Sequence, residues 1–500
     1  MGKASYKWEI SYLAVLNGAG VVVPVDRELK KDELVRVLND ADVTCIFCDK
    51  SYEKVLKEIR EEKSTALKLI ISFAAEENSE ELLSWTALVD EGKKQIGLGD
   101  RQFIDGNIDP DKMSVLLYTA GTTGDSKGVM ISHRNLAMNI MAAPTIVDIK
   151  PEDIFFSILP IHHTYETTCG LLIPLYKGAS VAFGEGAKYA IDNMEEVRPT
   201  VLLAVPALAE AFYKKIWIKA KNTGKEKKLH SLVDINHQAK RIGLDLSKSV
   251  LKDLLMDFGS VMKMVITGGS PVDAEILQFF NDIGIVTVQG YGLTECGPMV
   301  AVNPDVRKEM RMDSVGHLLP GMEVKVIDKD ENGIGEICLK GENVMSGYYK
   351  NPEATAEVLA DGWFHTGDSG FVDADSFIYI TGRKKNVILS GGKHVFPEEL
   401  EYIINRIPYV KESMVWSEET SESPEDVTIV ATVVISEEDV EKELGTDYEK
   451  AQLEELIWND IDKINDDLPL YKKIRRVRIR KDDFEKNSAK KIKRFVEENK

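Results

Sequence analysis

No uninterrupted apolar run in these 500 residues is long enough to cross a bilayer; the best stretch, Tyr12 to Val25, is broken by Asn17, Gly18 and Gly20. No signal-peptide pattern opens the chain, and Met1-Gly2 is followed by Tyr6 where a myristoylation signal needs serine or threonine. The expectation is a soluble, cytoplasmic protein. Cysteine is scarce, five in all. Cys45-Ile46-Phe47-Cys48 has CxxC spacing, but it sits in VTCIFC, which reads as a buried strand. No second cysteine pair or histidine cluster completes a metal site, so packing is the better reading. Positive charge is short as well: 63 Lys and Arg stand against 83 Asp and Glu, and a net charge of -20 argues against a nucleic-acid partner. There is no internal repeat, no low-complexity tract, and no evident Ser-His-Asp or Cys-His arrangement for nucleophilic catalysis.

With 43% hydrophobic residues, 29% charged and only 17 prolines, the chain can bury large cores and is long enough for more than one domain. Short β-branched runs alternate with helical patterns: GVVVPV at 20–25, LKKDELVRVLNDA, VTCIFC, a helix through Lys54 to Glu62, then LKLIIS. The rhythm returns at 201–205, 261–269 and 285–292. This is βαβ punctuation and predicts an α/β fold with a mostly parallel sheet covered by helices. After about Asp313, closely spaced strands with turn signals predict a smaller β subdomain, and from Val387 a compact α+β module follows. Residues 417–426 read as an acidic surface loop.

The chemistry is concentrated in YTAGTTGDSKG at 118–128. Gly121, Gly124 and Gly128 let backbone approach an anion, Thr119, Thr122 and Thr123 offer hydroxyl donors, and Lys127 adds a full positive charge. Such a loop suits a nucleotide triphosphate, while the plain alternative is a flexible turn between a strand and a helix starting near Ser132. It is not a Walker loop, since Ser126 and not glycine precedes Lys127.

Four further segments follow in order: YGLTE at 291–295, WFHTGD at 363–368, GRKKNVILSGGKHVFPEELE at 382–401 and KKIKR at 490–494. With them the whole chain resembles the adenylate-forming superfamily of acyl-CoA synthetases, luciferases and peptide-synthetase adenylation domains, and most of all its bacterial long-chain fatty-acid ligases. The resemblance implies a large N-terminal domain of parallel and mixed sheets over residues 1–384, with the β subdomain at about 313–384. A small mobile α+β domain would occupy 385–500 and turn on a hinge at Lys385, two residues after Arg383.

It also implies the reaction. A carboxylate is a poor acyl donor until it is joined to a good leaving group; transfer to the α-phosphate of ATP makes an acyl-adenylate and pyrophosphate, and the thiol of coenzyme A then displaces AMP. The 119–128 loop, with Thr119, Gly121, Thr122, Thr123, Gly124 and Lys127, would hold the β- and γ-phosphates. Tyr291 and Gly292 would lie by the adenine, Thr294 would bond the α-phosphate, and Glu295 would ligate Mg2+. Asp368 would accept hydrogen bonds from both ribose hydroxyls with Arg383 nearby. Gly268-Gly269-Ser270 resembles the small-residue loop beside the purine, though TGGSP also suits a plain strand-to-helix turn.

Lys491 corresponds to the lysine that would bridge the substrate carboxylate and the α-phosphate. It lies in a segment, Lys472 to Arg494, with twelve basic residues against three acidic ones, so a solvated basic face is its plain reading and Lys490 the competing assignment. Gly391-Gly392 would help form the thiol's entry path. LPIHHTYETTCG at 159–170 resembles the fatty-acyl subgroup's segment, with His163 and Glu166 at matching places. His163 would orient the carboxylate or shape the acyl tunnel, or else pack behind the active-site wall.

The chain departs from the family's pattern at Ala120, where many relatives have serine, and at Ser126, where many have proline. It also begins at a segment, SYKWEISYLAVLNGAG, that relatives place well inside the first domain. Missing upstream elements would expose apolar surface and sheet edges. Two other readings stay open: transfer of the acyl group to an acyl-carrier protein, and a noncatalytic protein that binds nucleotide or acyl-CoA. Any membrane contact would be peripheral, with the basic C-terminal segment as its candidate. Chain length and oligomeric state are not legible.

Overall fold

A computed structural model of the chain describes residues 1–119, 126–186, 189–242, 244–246, 261–270, 272–306, 309–390, 393–419, 427–486, 492–494 and 496. The first helix, Tyr6–Ala14, starts at Ser5, whose hydroxyl accepts the Trp8 amide, and it buries Trp8 and Tyr12. In the helix Lys31–Asp40 the buried residues are Leu34, Val37 and Leu38, the i, i+3, i+4 stripe of an amphipathic helix. Strands β1 (Cys45–Cys48), β2 (Leu69–Ser72) and β3 (Leu83–Ser84) form a parallel sheet in that order. Cys45 and Cys48, three residues apart on β1, project to opposite faces, and burial pushes the Cys48 thiol up to about 12. Both facts fit a packing role.

The strand expected at 20–25 does not form. Val22 makes only a single parallel bridge to Val115, with its amide on Ser114 O and its carbonyl on the Leu116 amide, both at 2.8 Å. Pro24 has no N–H with which to extend the ladder. Strands β4 (Met113–Thr119) and β5 (Lys127–Ser132) pair antiparallel, with Thr119 opposite Lys127. The glycine-rich segment therefore lies between two antiparallel strands. It does not run directly into the next helix, as a strand-loop-helix reading expects; that helix, His133–Ala142, starts one strand later from a Ser132/Asn135 capping box.

Among the described residues the central sheet has seven strands. They are β6 (Ile154–Ser157), β7 (Ser180–Phe183), β8 (Val201–Ala204), β9 (Met264–Thr267), β10 (Val286–Gly292), β11 (Met299–Val302) and β12 (His317–Leu318), in the order β12-β11-β10-β9-β8-β6-β7. The five from β10 to β7 are parallel, and β11 and β12 run antiparallel at one edge. Strands β8 and β9 are buried along their whole length. Their alternate residues serve two different cores: Val201, Leu203, Met264 and Ile266 face one, Leu202, Ala204 and Val265 the other. The second core is completed by Phe212 and Ile216 of the helix Pro206–Asn222 and by Leu277 and Phe280 of the helix Ala274–Asp282. Continuous apolar strands are what a sheet covered on both faces requires.

Next come β13 (Glu323–Ile327) and β14 (Gly335–Lys340), then β15 (Gly347–Tyr348), which pairs back onto β5. After β16 (Leu359–Ala360), the long β17 (Trp363–Val372) and β18 (Ile378–Arg383) complete a sheet in the order β13-β14-β17-β16, with β18 on β17. The C-terminal part holds the hairpin β19 (Ile388–Ser390)/β20 (Lys393–Val395) and a sheet of β21 (Val410–Glu419), β22 (Val427–Ile435) and β23 (Arg476–Arg480). It has a core of its own, including Leu400, Ile404, Val433, Ile457 and Ile461. Residues 417–419, expected in a loop, belong to β21; Glu418 is held there by ion pairs to Arg476 and Arg478 of β23.

Candidate functional site

Asp368 sits on β17 directly opposite Arg383 on β18. Gly367, with φ +68°, turns the strand just before it, and the Asp368 amide donates to Thr366 Oγ1 at 3.0 Å. Asp368 is 4% exposed. Arg383 Nε lies 2.9 Å from Oδ1, and Tyr291 Oη donates to Oδ2 at 2.5 Å. Burial and the charge of Asp368 push the Tyr291 phenol well above its usual range, so it stays protonated and donates. Three of the sequence-predicted segments thus meet on one buried carboxylate.

Tyr291 is brought there by β10, whose end is unusually tight. A Cβ on Gly292 would stand 2.1 Å from Pro298 O, the same oxygen that accepts the Leu293 amide at 2.8 Å. Thr294 and Glu295 lie in the one-turn 3₁₀ segment Thr294–Cys296. Fully buried Asn139 pins this turn, donating to Cys296 O at 2.8 Å and accepting the Met299 amide at 2.9 Å. Glu295 Oε1 accepts a hydrogen bond from Tyr348 Oη at 2.9 Å. Lys127, at the start of β5, places its Nζ 4.9 Å from the centroid of the same tyrosine ring. Arg383 lies within electrostatic reach of Asp368, Tyr291 and Glu295.

Thr119 and Lys127 close the base of the glycine-rich loop, stitched by Ser126 Oγ donating to Thr119 O at 2.9 Å. Gly121, Thr122, Thr123 and Gly124 lie outside the described residues, as do Gly391, Gly392 and Lys491. The neighbour of Lys491, Ile492, packs against Met414, Val434 and Phe484, and Arg494 bonds Glu401 and Val415 O.

Gly268 follows β9 and lies over Tyr165, whose ring would be 3.3 Å from a Cβ there. Gly269 has φ +86° and open space in front of it, and Ser270 is exposed with its hydroxyl on Gly269 O. The 159–170 segment therefore floors this loop, with Tyr165 Oη donating to Ile266 O at 2.8 Å. His163 is exposed, its Nδ1 accepting the Tyr165 amide at 3.3 Å; it is not packed behind a wall. The histidine that is partly buried is its neighbour His162, 3.7 Å from Asp26, where burial lowers its pKa against the pull of Asp26.

Glu166 is 1% exposed on a π-helical stretch, Tyr165–Leu172. Ser157 donates to its Oε1, Oε2 has no hydrogen-bond partner among the described residues, and Gly170 is packed against the carboxyl group. Burial raises its pKa to about 8, against the opposing Ser157 bond, so it is a neutral acid at physiological pH.

Lys384 is tethered to Glu336 at 2.7 Å and Asp328 at 3.2 Å, whereas Lys385 is exposed in the turn Lys384–Asn386. Beyond that turn, Arg406 pairs with Glu275 at 2.5 Å and Asp273 at 3.5 Å, at the start of the helix that follows the Gly268 loop. Tyr348, His162 and the neutral state of Glu166 are not readable from sequence. Tyr348 lies in SGYYKNP, outside every motif used, and the other two depend on partners distant in the chain.

Among the described residues no helix is long and apolar enough to cross a membrane, and no group of three or more His, Cys, Asp and Glu side chains forms a metal cage. A buried carboxylate with an arginine, a lysine beside a glycine-rich hairpin and a single acid near it suit a polyanion carrying a ribose better than a metal centre.

A profile of the family described as AMP-binding enzyme matches residues 1–349. Long-chain-fatty-acid–CoA ligase 1 of Cavia porcellus is 31% identical over 447 residues, covering 82% of this chain and 62% of its own. A putative acyl–CoA ligase of Bacillus subtilis is 29% identical over 410 residues, covering 80% and 72%. The chain thus spans 62% of the length of the first relative. Among solved structures, ATP-bound MatB from Rhodopseudomonas palustris superposes with a TM-score of 0.73 at 26% identity, covering 98% of this chain and 86% of that one.

Proposed function

The chain belongs to the AMP-binding enzyme family, and from that premise we propose that it joins a fatty acid to ATP as an acyl-adenylate and passes the acyl group to coenzyme A, releasing AMP. The observation that carries this reading is the meeting of Tyr291, Asp368 and Arg383 on one buried carboxylate, the arrangement a ribose diol needs. The relatives' names supply the acyl class, and the 159–170 segment under the Gly268 loop is where an acyl chain would start.

In this reading Asp368 accepts the ribose hydroxyls while Arg383 holds its charge in place. The open face of Gly269 leaves room for the purine beside Tyr291. Lys127 and the hairpin loop take the β- and γ-phosphates, Thr294 the α-phosphate, and His163 sits exposed at the carboxylate's approach. Magnesium, when bound, offsets charge on the phosphate oxygens; Glu295 would be its protein ligand, and one carboxylate with substrate oxygens and water is how that ion is usually held. Lys491 would neutralise charge as the substrate carboxylate attacks, so that positioning and electrostatics, with no protein nucleophile, lower the barrier.

The boundary between a large unit, 1–384, and a small one, 385–500, falls in this reading at the exposed Lys385, about which the small unit turns between the two half-reactions. Gly391 and Gly392 then line the thiol's path. The setting is cytoplasmic, with any membrane contact peripheral. Coenzyme A is tested against an acyl-carrier protein by offering each as acceptor to purified protein with ATP, Mg2+ and a fatty acid. AMP release that accelerates with coenzyme A and not with the carrier supports the ligase; the reverse overturns it.

A further inference from the structure

Tyr348 stands outside the sequence motifs yet touches two of the groups they contain. Its hydroxyl donates to Glu295 Oε1 at 2.9 Å, and its ring lies under Lys127 Nζ, 4.9 Å from the centroid. Only 7% of the residue is exposed. Its backbone is fixed from several sides. The Tyr348 amide donates to Thr355 Oγ1 at 2.9 Å, the Tyr349 amide to Gly128 O at 2.7 Å, and Tyr348 pairs with Val129 on β5. Gly347 has φ +136°, and a Cβ there would come 2.7 Å from Thr355. The same turn is tied to the end of the helix Lys31–Asp40 by Lys350, which bonds Asp40 O at 2.6 Å and Asp42 at 2.8 Å.

A lysine and a glutamate placed side by side would neutralise each other and offer little to a ligand. A neutral phenol between them changes that outcome. The hydrogen bond occupies one carboxylate oxygen of Glu295 and leaves the other for a cation. The ring holds the ammonium through its π face and uses none of its three N–H donors.

Resting on the functional reading above, we infer that Tyr348 is a positioning residue: it holds Lys127 and Glu295 apart, one toward the nucleotide phosphates and one toward magnesium, and so couples the binding of the two. The pair is set by β15 and the turn after it, so that the geometry exists before the ligand arrives.

The test is ATP binding by calorimetry at a series of Mg2+ concentrations, with full-length protein and the variants Y348F and Y348L, each checked by thermal melt. Tyr348→Phe keeps the ring and loses only the bond to Glu295. It should raise the Mg2+ needed for half-maximal ATP binding by roughly 3- to 10-fold while leaving ATP affinity at saturating Mg2+ within about twofold. Tyr348→Leu should lose a further factor of about 10 in ATP affinity even at saturating Mg2+. A purely structural tyrosine predicts lower melting temperatures with an unmoved Mg2+ dependence. An Mg2+ dependence in Y348F equal to that of the unaltered protein overturns the assignment, and Y348F decides alone if Y348L does not fold. If the unaltered chain binds no ATP at any Mg2+, the functional reading falls first.

Discussion

Arg383 and Asp368 face each other across β17 and β18, Nε 2.9 Å from Oδ1, and the other carboxylate oxygen receives Tyr291. A buried carboxylate is costly unless it is paired and hydrogen-bonded. Here both conditions are met by residues that the chain brings from 77 positions upstream and from the facing strand. The oxygens are thus oriented before a ribose adds its own donors.

Asp368→Asn preserves shape and removes the charge. The amide can no longer accept at both positions, and Arg383 loses its counter-ion. We expect kcat/KM for ATP to fall by roughly 10²-fold, the scale of losing one preorganised electrostatic group. Pyrophosphate release measured across ATP concentrations checks this, and an unchanged ATP dependence would remove Asp368 from the nucleotide site.

Lys491→Ala should depress adenylation by roughly 10²- to 10³-fold yet spare thioester formation from supplied acyl-adenylate. Separate single-turnover measurements of the two half-reactions read this out. Equal loss in both contradicts the division of labour between the two halves of the cycle.

Glu166→Gln tests the buried acid. Its folded pKa is raised from 4.5 to about 8. Between those values the folded chain keeps a proton that the unfolded chain releases, so the protein loses stability as pH rises from about 4.5 to about 8 and the loss is complete above that. The glutamine variant lacks this slope, though an amide in place of the carboxyl group carries a cost that does not vary with pH. Its stability relative to the unaltered protein should improve by on the order of a few kcal/mol from pH 5 to pH 8. Urea denaturation at the two pH values measures the gap; parallel curves would mean that Glu166 is ionised in the fold.

Gly292→Ala should destabilise by roughly 2–4 kcal/mol, because its Cβ would meet the Pro298 carbonyl, a backbone atom that cannot swing aside. Gly268→Ala is the control. Its Cβ would reach the Tyr165 ring at 3.3 Å, a contact that a small ring shift relieves. Melting temperatures of the two variants should separate clearly, and equal values would contradict the tight turn at the end of β10.

Apolar runs such as Val201–Ala204 and the Met264, Val265 and Ile266 of β9 were legible as central strands because burial on both faces leaves few polar positions. GVVVPV was equally apolar and failed, since Pro24 interrupts the donors a ladder needs. Residues 417–419 misled in the opposite direction: they pair in β21, and the charge of Glu418 is met by Arg476 and Arg478 on β23, a partner far along the chain. The hairpin around the glycine-rich loop was hidden because β5 directly abuts the helix that follows. In the site, Tyr291, Asp368 and Arg383 were visible as members of ordered motifs. Tyr348 and His162 were not, because their significance lies in Glu295, Lys127 and Asp26, which only the fold brings near.

The deciding measurement is pyrophosphate release from the purified 500-residue chain with ATP, Mg2+ and carboxylic acids from acetate to oleate, with and without coenzyme A. Release that peaks at a fatty acid and turns over repeatedly only when coenzyme A is present is the predicted result. Folded protein that releases no pyrophosphate with any acid contradicts the ligase and leaves a nucleotide- or acyl-CoA-binding protein in its place.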